Sequence, residues 1–349
     1  MAMGQFLEAE KLRQAAFKAS SPYFSDAARA DGVYRRKLRP FCVPDECAEE
    51  NLFHEIRQPA LTYFARHEIK WHGGKEGNPF NHLCSSQVCC VNFLFPFADK
   101  PNALVELLRP VFPAVRQPLP MDRGQLVSFE WIGCRNYLHE KTRSGKRTRG
   151  ALFTSADAAV MFEREDGLRQ IVLIEWKYSE SYGDTWLGVA PSGTDRRQIY
   201  TWLYGYEDCL LDKSLLPCFC DLFYEPFYQL MRQQFLAHEM EKAHELGADV
   251  VSVLHIAPAH NQDFRRVTSP ALRRLGESPI DIWKRLSKRR TGLPAWPQKN
   301  CLAACPSMGC QNWRPGGTTS TEGIRGLARR ASSRGVVLLA HYRPPLTVR

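Results

Sequence analysis

Two apolar runs joined by a polar turn place the strongest constraint on the fold of this chain. Ala158 to Phe162 and Ile171 to Ile174 are apolar, and Glu163 to Gly167 between them is polar and ends in glycine. Short apolar runs bounded by turn residues predict buried strands, and the glycine-containing connection predicts an antiparallel hairpin. We therefore expect a sheet built around this hairpin.

Charged residues stand at matching ends of the two predicted strands. Asp157 begins the first strand, and Glu175 and Lys177 lie at the end of the second. Side chains two residues apart on a strand point to the same face, so Glu175 and Lys177 project together. Burying such charges is unfavourable unless a partner compensates them. A divalent metal and a phosphate would do so, as in a Mg²⁺-dependent phosphodiesterase, whereas the alternative is a structural Glu175–Lys177 ion pair.

The motif formed by Asp157 and Glu175-Trp176-Lys177 resembles the signature of the PD-(D/E)XK nuclease superfamily, in a restriction-endonuclease-like branch. The proline that often precedes the aspartate in that signature is replaced by Ala156. The resemblance extends from Asn51 to Arg289 through four further similar segments, namely His82 to Gln87, Val91 to Pro96, Tyr228 to Gln233 and Val253 to Pro258.

The resemblance implies an α/β fold, a restriction-endonuclease-like three-layer sandwich with a central mixed β-sheet flanked by helices. The order of predicted elements, which is helices, three strands, helices, a strand and a helix, agrees with that fold. We expect an N-terminal arm over residues 1–50, a nuclease-like domain over 51–290 and a basic, disordered tail over 291–349.

The same resemblance implies roles for individual residues. Asp157 and Glu175 are expected to bind Mg²⁺, with Mn²⁺ as an alternative ion, and the backbone carbonyl of Trp176 is a further expected ligand. Lys177 is expected to position water or the scissile phosphate. Glu130 lies in a predicted strand and is expected to be an additional catalytic acid near the metal, or else an outward-facing strand residue.

Several polar residues are candidates of second rank. Gln87 and Ser86 open a predicted helix, where unpaired N–H groups favour anions, although Ser85 or Ser86 could serve only as its cap. The resemblance places a glutamine such as Gln229 near the site on a later helix that also carries Arg232. The alternative for these two is a merely polar helix face.

The charge distribution bears on the expected partner, which is DNA. The net charge is +10, but the residues from Arg285 onward contain twelve bases and one acid, so the rest of the chain is nearly neutral. Local patches must then supply DNA affinity. The strongest patch is Arg143 to Arg149, which is a phosphate-tracking loop or a solvated loop, and a second basic segment is Tyr34 to Lys37.

The tail from Thr291 onward lacks periodicity and contains no aspartate. This composition predicts disorder, and the abrupt change after Arg290 is also what a tail translated from a shifted reading frame would show. The sequence has no run long and apolar enough for a transmembrane helix and no secretory signal at its start. A cytoplasmic protein without membrane contacts is therefore expected, and the sequence does not predict an oligomeric state.

The twelve cysteines form no pair of CxxC motifs, and no disulfide is expected in a protein without a secretory signal. A zinc site from His67, His72, His82 and Cys84 is a minor hypothesis. Three functions therefore compete. The first is a metal-dependent nuclease, the second is a catalytically silent nucleic-acid-binding relative, and the third is a zinc-stabilised interaction protein.

Overall fold

The computed structural model describes residues 4–142, 145–151 and 153–287, together with the backbone of the strand at 336–341. The predicted hairpin is confirmed: β5 (Ala156–Arg164) and β6 (Arg169–Trp176) pair antiparallel, from Glu163 opposite Arg169 to Ala158 opposite Ile174. Gly167 has φ +83°, a left-handed conformation that suits a glycine in this tight connection.

A mixed sheet extends on both sides of the hairpin. Its six strands occupy five positions, because β3 (Val115–Leu119) and β4 (Val127–Trp131) both pair antiparallel with β5 along one edge. On the other side, β6 pairs parallel with β7 (Val250–Pro258), which pairs antiparallel with β8 (Val336–His341). The expected α/β sandwich with a central mixed sheet is therefore present.

Helices cover both faces of this sheet. Their bounds are close to those that the apolar periodicity of the sequence predicts. One face packs against α2 (His54–Arg66), α3 (Ser86–Leu94) and α4 (Pro101–Leu108), and the other against α5 (Arg196–Gly205), α6 (Phe227–Lys242) and α7 (Pro279–Leu286). Ser85 caps α3 by accepting the N–H of Val88, which resolves the question of which serine is the cap.

Alternating strand residues divide the core into two layers. Val160 and Val172 pack with the helices of the first face, whereas Met161 and Leu173 pack with those of the second. Asp157 and Glu175 have the same parity as Met161 and Leu173, so they point toward α6. The three-layer arrangement thus sets the direction in which the predicted site residues project.

The N-terminal segment contacts the body through α1 (Gln5–Ser20) and a small hairpin of β1 (Gly32–Tyr34) and β2 (Lys37–Arg39). The hydroxyl of Tyr178, just beyond Lys177, donates to Glu10 at 2.8 Å and accepts a hydrogen bond from Gln14 at 2.9 Å. The predicted domain boundary at residue 50 stays a prediction.

Two expectations need correction. Cys218 and Cys220, which lie two residues apart in one loop, are joined by a disulfide. The expectation of no disulfide, which rested on the lack of a secretory signal, was therefore wrong for this pair. In the tail, residues 336–341 form β8, because their aliphatic run can pair with the edge of β7. The rest of the predicted tail from residue 291 lies outside the described residues. No described helix is long and apolar enough to cross a membrane.

Candidate active site

Asp157 and Glu175 lie opposite each other where the β5–β6 ladder ends. The last registered pair is Ala158 with Ile174, so these two acids occupy the next position on each strand. The backbone N–H of Trp176 donates to Oδ2 of Asp157 at 2.7 Å. A side chain thus replaces the backbone acceptor at the strand end, which orients the Asp157 carboxylate beside Glu175.

Glu175 is 2% exposed and its two carboxylate oxygens accept hydrogen bonds from different donors. Oε1 lies 2.5 Å from both the Lys177 ammonium and the side-chain amide of Gln229, and Oε2 accepts from the amide of Gln233. Both glutamines project from α6. The Glu175–Lys177 pair is buried rather than exposed, since the Lys177 side chain is 11% exposed.

Glu130 joins the cluster from β4. Its neighbours Phe129 and Trp131 pair with Ala158 and Ala156, so Glu130 lies across from Asp157. Its backbone has φ +49°, a left-handed conformation that is rare for a non-glycine residue inside a strand. Glu130 is 1% exposed, so of the two predicted alternatives the outward-facing one is wrong.

Polar side chains from the first helical layer hold Glu130 in place. Its Oε1 accepts from the Gln87 amide at 2.7 Å, and its Oε2 accepts from the Ser155 hydroxyl at 3.0 Å. Gln87 also accepts the backbone N–H of His72 at 2.7 Å, and the His72 ring lies 3.6 Å from Glu130. The neighbouring Ser86 donates to the Trp176 carbonyl oxygen at 3.0 Å.

A cavity of about 330 Å³ opens at this cluster. Both Asp157 and Glu175 line it, and Arg232 from α6 and His72 lie on its other sides. The remaining lining residues are Gly150, Ala151, Phe153, Ser155 and Gln229. Lys177, Glu130 and Trp176 are not among the lining residues, but each contacts one of them: Lys177 contacts Glu175, Glu130 contacts Ser155 and Trp176 contacts Asp157.

The electrostatics show an excess of negative charge. Burial raises the pKa of Asp157 well above its usual range, and the nearby carboxylates of Glu175 and Glu130 raise it further. Burial also raises the pKa of Glu130. Burial lowers the pKa of Lys177, but the Glu175 carboxylate outweighs this and the net shift is upward. A cation placed among the acids would lower the free energy of their ionised forms.

The donor set fits a hard divalent cation. Within the described chain, Oδ1 of Asp157 has no hydrogen-bond donor and the residue faces the cavity. The Trp176 carbonyl accepts one hydrogen bond and retains a second lone pair. The described residues contain no ready-made group of three His, Cys, Asp or Glu ligands. Mg²⁺, however, is commonly held through one or two carboxylates and several retained waters.

One wall of the cavity is fixed by a buried ion pair outside the predicted site. The Asp122 carboxylate accepts hydrogen bonds from both terminal nitrogens of Arg149, at 2.6 and 3.0 Å, and from the Tyr63 hydroxyl, at 2.6 Å. Next to it, Gly150 has φ +68°, and a Cβ there would lie 2.5 Å from the carbonyl oxygen of Lys70. The Arg149–Gly150 segment is therefore held close against the body.

This ion pair predicts a specific loss of stability in acid. Burial raises the pKa of Asp122, but the hydrogen bonds and charge of Arg149 outweigh it and hold that pKa at about 2. The stabilisation is complete above the unfolded pKa of about 3.9 and is lost as pH falls through the folded value; it amounts to roughly 2 kcal/mol. In urea unfolding across this pH range, Asp122→Asn should lose that part of the pH dependence. An unchanged pH dependence would contradict the assignment.

The predicted basic loop is largely engaged within the chain. Arg149 binds Asp122, Arg147 donates to the carbonyls of Ile132 and Gly133, and Lys146 lies 2.5 Å from Glu68. Arg143 lies outside the described residues. Acceptors distant in sequence already bind the guanidinium groups of Arg147 and Arg149, and the phosphate-tracking role of this loop stays a prediction.

The minor zinc hypothesis is also not supported within the described chain. The ring of His67 packs at a tilt against Tyr63, the ring of His72 lies near Glu130, and the ring of His82 accepts a hydrogen bond from the backbone N–H of Cys84. No three potential ligands among the described residues are grouped for a metal.

Ser155, Gln233 and His72 contact the acids although none of them was predicted to do so, and His72 was a candidate only for zinc. Gln233 could have been found, because it is one helical turn from Gln229 and so lies on the same face of α6. His72 and Ser155 carry no local signal, since their contacts with Glu130 join distant segments.

Comparison with known proteins identifies the family. The model of a family described as "Restriction Endonuclease associating with ARP" matches residues 10–280. Searches of curated proteins and of solved structures found no match. The matched region contains every residue of the cavity and all four predicted catalytic residues.

Proposed function

The chain belongs to this restriction-endonuclease family, and from that premise we propose that it is a nuclease of the PD-(D/E)XK type. The proposed reaction is hydrolysis of DNA phosphodiester bonds with Mg²⁺, or alternatively Mn²⁺, held by Asp157, Glu175 and the Trp176 carbonyl. Family membership supports a nuclease. The metal and the residue roles are the additional content of the proposal.

One observation carries the proposal. Asp157 and Glu175 occupy opposed positions at the end of β5 and β6, and both line one cavity. Lys177 follows two residues later on the same face and lies 2.5 Å from Glu175. Two carboxylates and a lysine at one strand end are the groups needed to bind a divalent cation and a phosphate together.

Residues of the site would have separate roles in the proposed reaction. When bound, Mg²⁺ supplies the Lewis acidity that activates water and offsets negative charge on the phosphate. Water would attack phosphorus and lose a proton to solvent, while the bond from phosphorus to the leaving oxygen breaks and that oxygen takes up a proton from solvent. Lys177 would orient the water or phosphate as a compact charge. Arg232, on the cavity wall, is placed to contact a phosphate oxygen.

A catalytically silent DNA-binding relative is the second candidate, and a specific contact favours it. Both oxygens of Glu175 already accept hydrogen bonds from Lys177, Gln229 and Gln233. A metal would have to displace at least one of these donors. If the displacement is too unfavourable, the chain would bind DNA without cleaving it.

A cleavage assay separates the two candidates. Supercoiled, linear and single-stranded DNA would each be incubated with the protein in Mg²⁺, in Mn²⁺ and in excess chelator, while binding is followed in parallel. The nuclease predicts cleavage that chelator stops. Binding without cleavage in either metal would establish the silent relative, and the absence of both would refute both candidates.

Replacing Lys177 tests its proposed role. Lys177→Met removes the charge while keeping the stem, so cleavage should fall on the order of a hundredfold to a thousandfold, as when one transition-state donor is lost. DNA binding and Mg²⁺ binding should remain, since Lys177 acts on water or phosphate. The measurement is single-turnover cleavage, with calorimetric Mg²⁺ titration.

The matched control is Lys213→Met, an exposed lysine that donates to the carbonyls of Gly205 and Tyr206. It should cleave at the wild-type rate. A Lys177→Met variant that also cleaves at that rate would leave Lys177 only as the structural partner of Glu175. Thermal unfolding of both variants shows whether a lost rate reflects a lost fold.

A further inference from the structure

The β1–β2 hairpin is a basic ribbon that the active site does not use. Its two-residue turn is Arg35-Arg36, with φ of +49° and +63°, and the first residue of β2 is Lys37. A turn with both central residues at positive φ normally selects asparagine or glycine. The chain instead places two arginines there, in a backbone conformation that is unfavourable for long side chains.

The charges of this ribbon face solvent. Arg35, Arg36 and Lys37 are all exposed. Among the residues that the structure describes, no ion pair involves these three side chains, in contrast to the basic loop at Lys146 and Arg149. The apolar pair formed by Val33 and Leu38 in register is also exposed, at 49% and 66%.

Strand β1 of the ribbon is packed against the body along its whole length, up to the residue before the turn. The ring of Tyr34 packs against Phe80 and His82 with centroid distances of 5.9 and 5.0 Å. The Asn81 amide donates to the Val33 carbonyl at 3.2 Å. Gly32 approaches the backbone so closely that a Cβ would lie 1.9 Å from the carbonyl oxygen of Val43. The hairpin therefore lies on a fixed platform, and the exposed Arg35-Arg36 turn follows directly after the packed Tyr34.

That platform is continuous with the active site. The segment that supports Tyr34 leads directly into Ser86, which donates to the Trp176 carbonyl at 3.0 Å. The carbonyl of Cys84 in the same segment accepts from Ser179, two residues beyond Lys177, at 3.1 Å. The segment of residues 80–86 thus contacts both the hairpin and the end of β6 that carries Glu175 and Lys177.

We propose that residues 32–39 form a DNA-contacting ribbon that binds the phosphates of duplex DNA beside the cleavage site. This inference rests on the proposed nuclease function and adds the element that engages the substrate. A two-stranded ribbon fits the major groove of B-DNA, and exposed arginines and lysines bind the flanking phosphates. Because phosphate contacts release counterions, the ribbon should contribute to the salt dependence of binding.

The test compares two triple variants with the same change in charge. Arg35→Gln/Arg36→Gln/Lys37→Gln removes the ribbon charges. The control Lys100→Gln/Arg123→Gln/Arg274→Gln removes three exposed charges elsewhere, and Arg123 also has positive φ, at +43°. Binding to a short labelled duplex is measured by fluorescence anisotropy over a range of salt concentrations, in chelator so that no cleavage occurs.

The ribbon variant should show a slope of log affinity against log salt that is shallower by about 0.9 for each lost contact, up to about 2.7 for three. With Mg²⁺, its KM for DNA should rise while kcat stays unchanged. The charge-retaining variant Arg35→Lys/Arg36→Lys should keep the wild-type slope, and so should the control.

The possible failures are distinguishable. If the wild-type protein binds and cleaves DNA and the ribbon variant matches it in slope and KM, the ribbon proposal is overturned and the nuclease proposal stands. If the ribbon charges bind an acidic protein instead of DNA, the salt slope and KM of the ribbon variant would also match those of the wild type, and the ribbon proposal would be overturned. If the wild-type protein neither binds nor cleaves DNA, both proposals fail together.

Discussion

Asp157→Asn and Glu175→Gln are each expected to abolish DNA cleavage while the protein stays folded. Both changes keep the shape of the side chain but remove a charge from the pair that lines the cavity. We expect the rate to fall by at least about a thousandfold, which corresponds to roughly 4 kcal/mol in the activation free energy. Mg²⁺ affinity, measured by calorimetry, should fall as well.

Stability should move in the opposite direction. Asp157 is partly buried and lies near the carboxylates of Glu175 and Glu130; desolvation and these two carboxylates raise its pKa. Removing one acid from such a cluster relieves like-charge repulsion, so the melting temperature of Asp157→Asn should equal or exceed that of the wild type. This combination of lost activity and retained stability is the mark of a functional cluster.

The control for this pair is Glu163→Gln, on the same strand β5 but at its other end, where Glu163 lies 2.8 Å from the exposed Arg116. It should cleave normally. If Glu175 and Lys177 form only a structural ion pair, Glu175→Gln would change stability and leave cleavage intact. Wild-type cleavage and Mg²⁺ binding by Glu175→Gln would falsify the proposed metal site.

Arg149→Met is expected to produce the largest loss of stability. The change leaves the Asp122 carboxylate in a buried position with hydrogen bonds from Tyr63 and Ser128 but without its counterion. Removing one partner of a buried ion pair destabilises proteins by about 3–5 kcal/mol. Urea unfolding of wild type and variant measures the difference in the free energy of unfolding.

A second variant separates charge from packing. Asp122→Asn combined with Arg149→Met removes both charges, and it should recover much of the lost stability because no uncompensated charge remains. Arg116→Met, which breaks the exposed pair with Glu163, serves as the control and should change the free energy of unfolding by less than about 1 kcal/mol. An Arg149→Met effect as small as this control would show that the Asp122 pair is not stabilising.

The hairpin and its helices could be predicted because their signals are local. The apolar runs of β5 and β6, the glycine turn and the Ser85 cap all act within a few residues. β3 was not predicted, since Pro118 and the two consecutive exposed polar residues Arg116 and Gln117 give it the character of a loop. It becomes a strand because it lies along the free edge of β5.

The site was predictable only in part for the same reason. Acids at the ends of buried strands are conspicuous, so Asp157 and Glu175 could be chosen from the sequence. The contacts of Glu130 with Gln87 and Ser155 join segments that are far apart along the chain. Charge composition likewise could not distinguish the engaged Arg149 from the solvent-facing Arg35, because only the fold supplies Asp122 as a partner.

The backbone of Glu130 has a consequence for the evolution of this chain. A left-handed non-glycine residue is unfavourable by roughly 1–3 kcal/mol, and its carboxylate is buried among other acids. Glu130→Gly would relieve both effects. Directed evolution that rewards heat resistance alone should therefore discard this acid early, and the glutamate would persist only where selection also demands turnover.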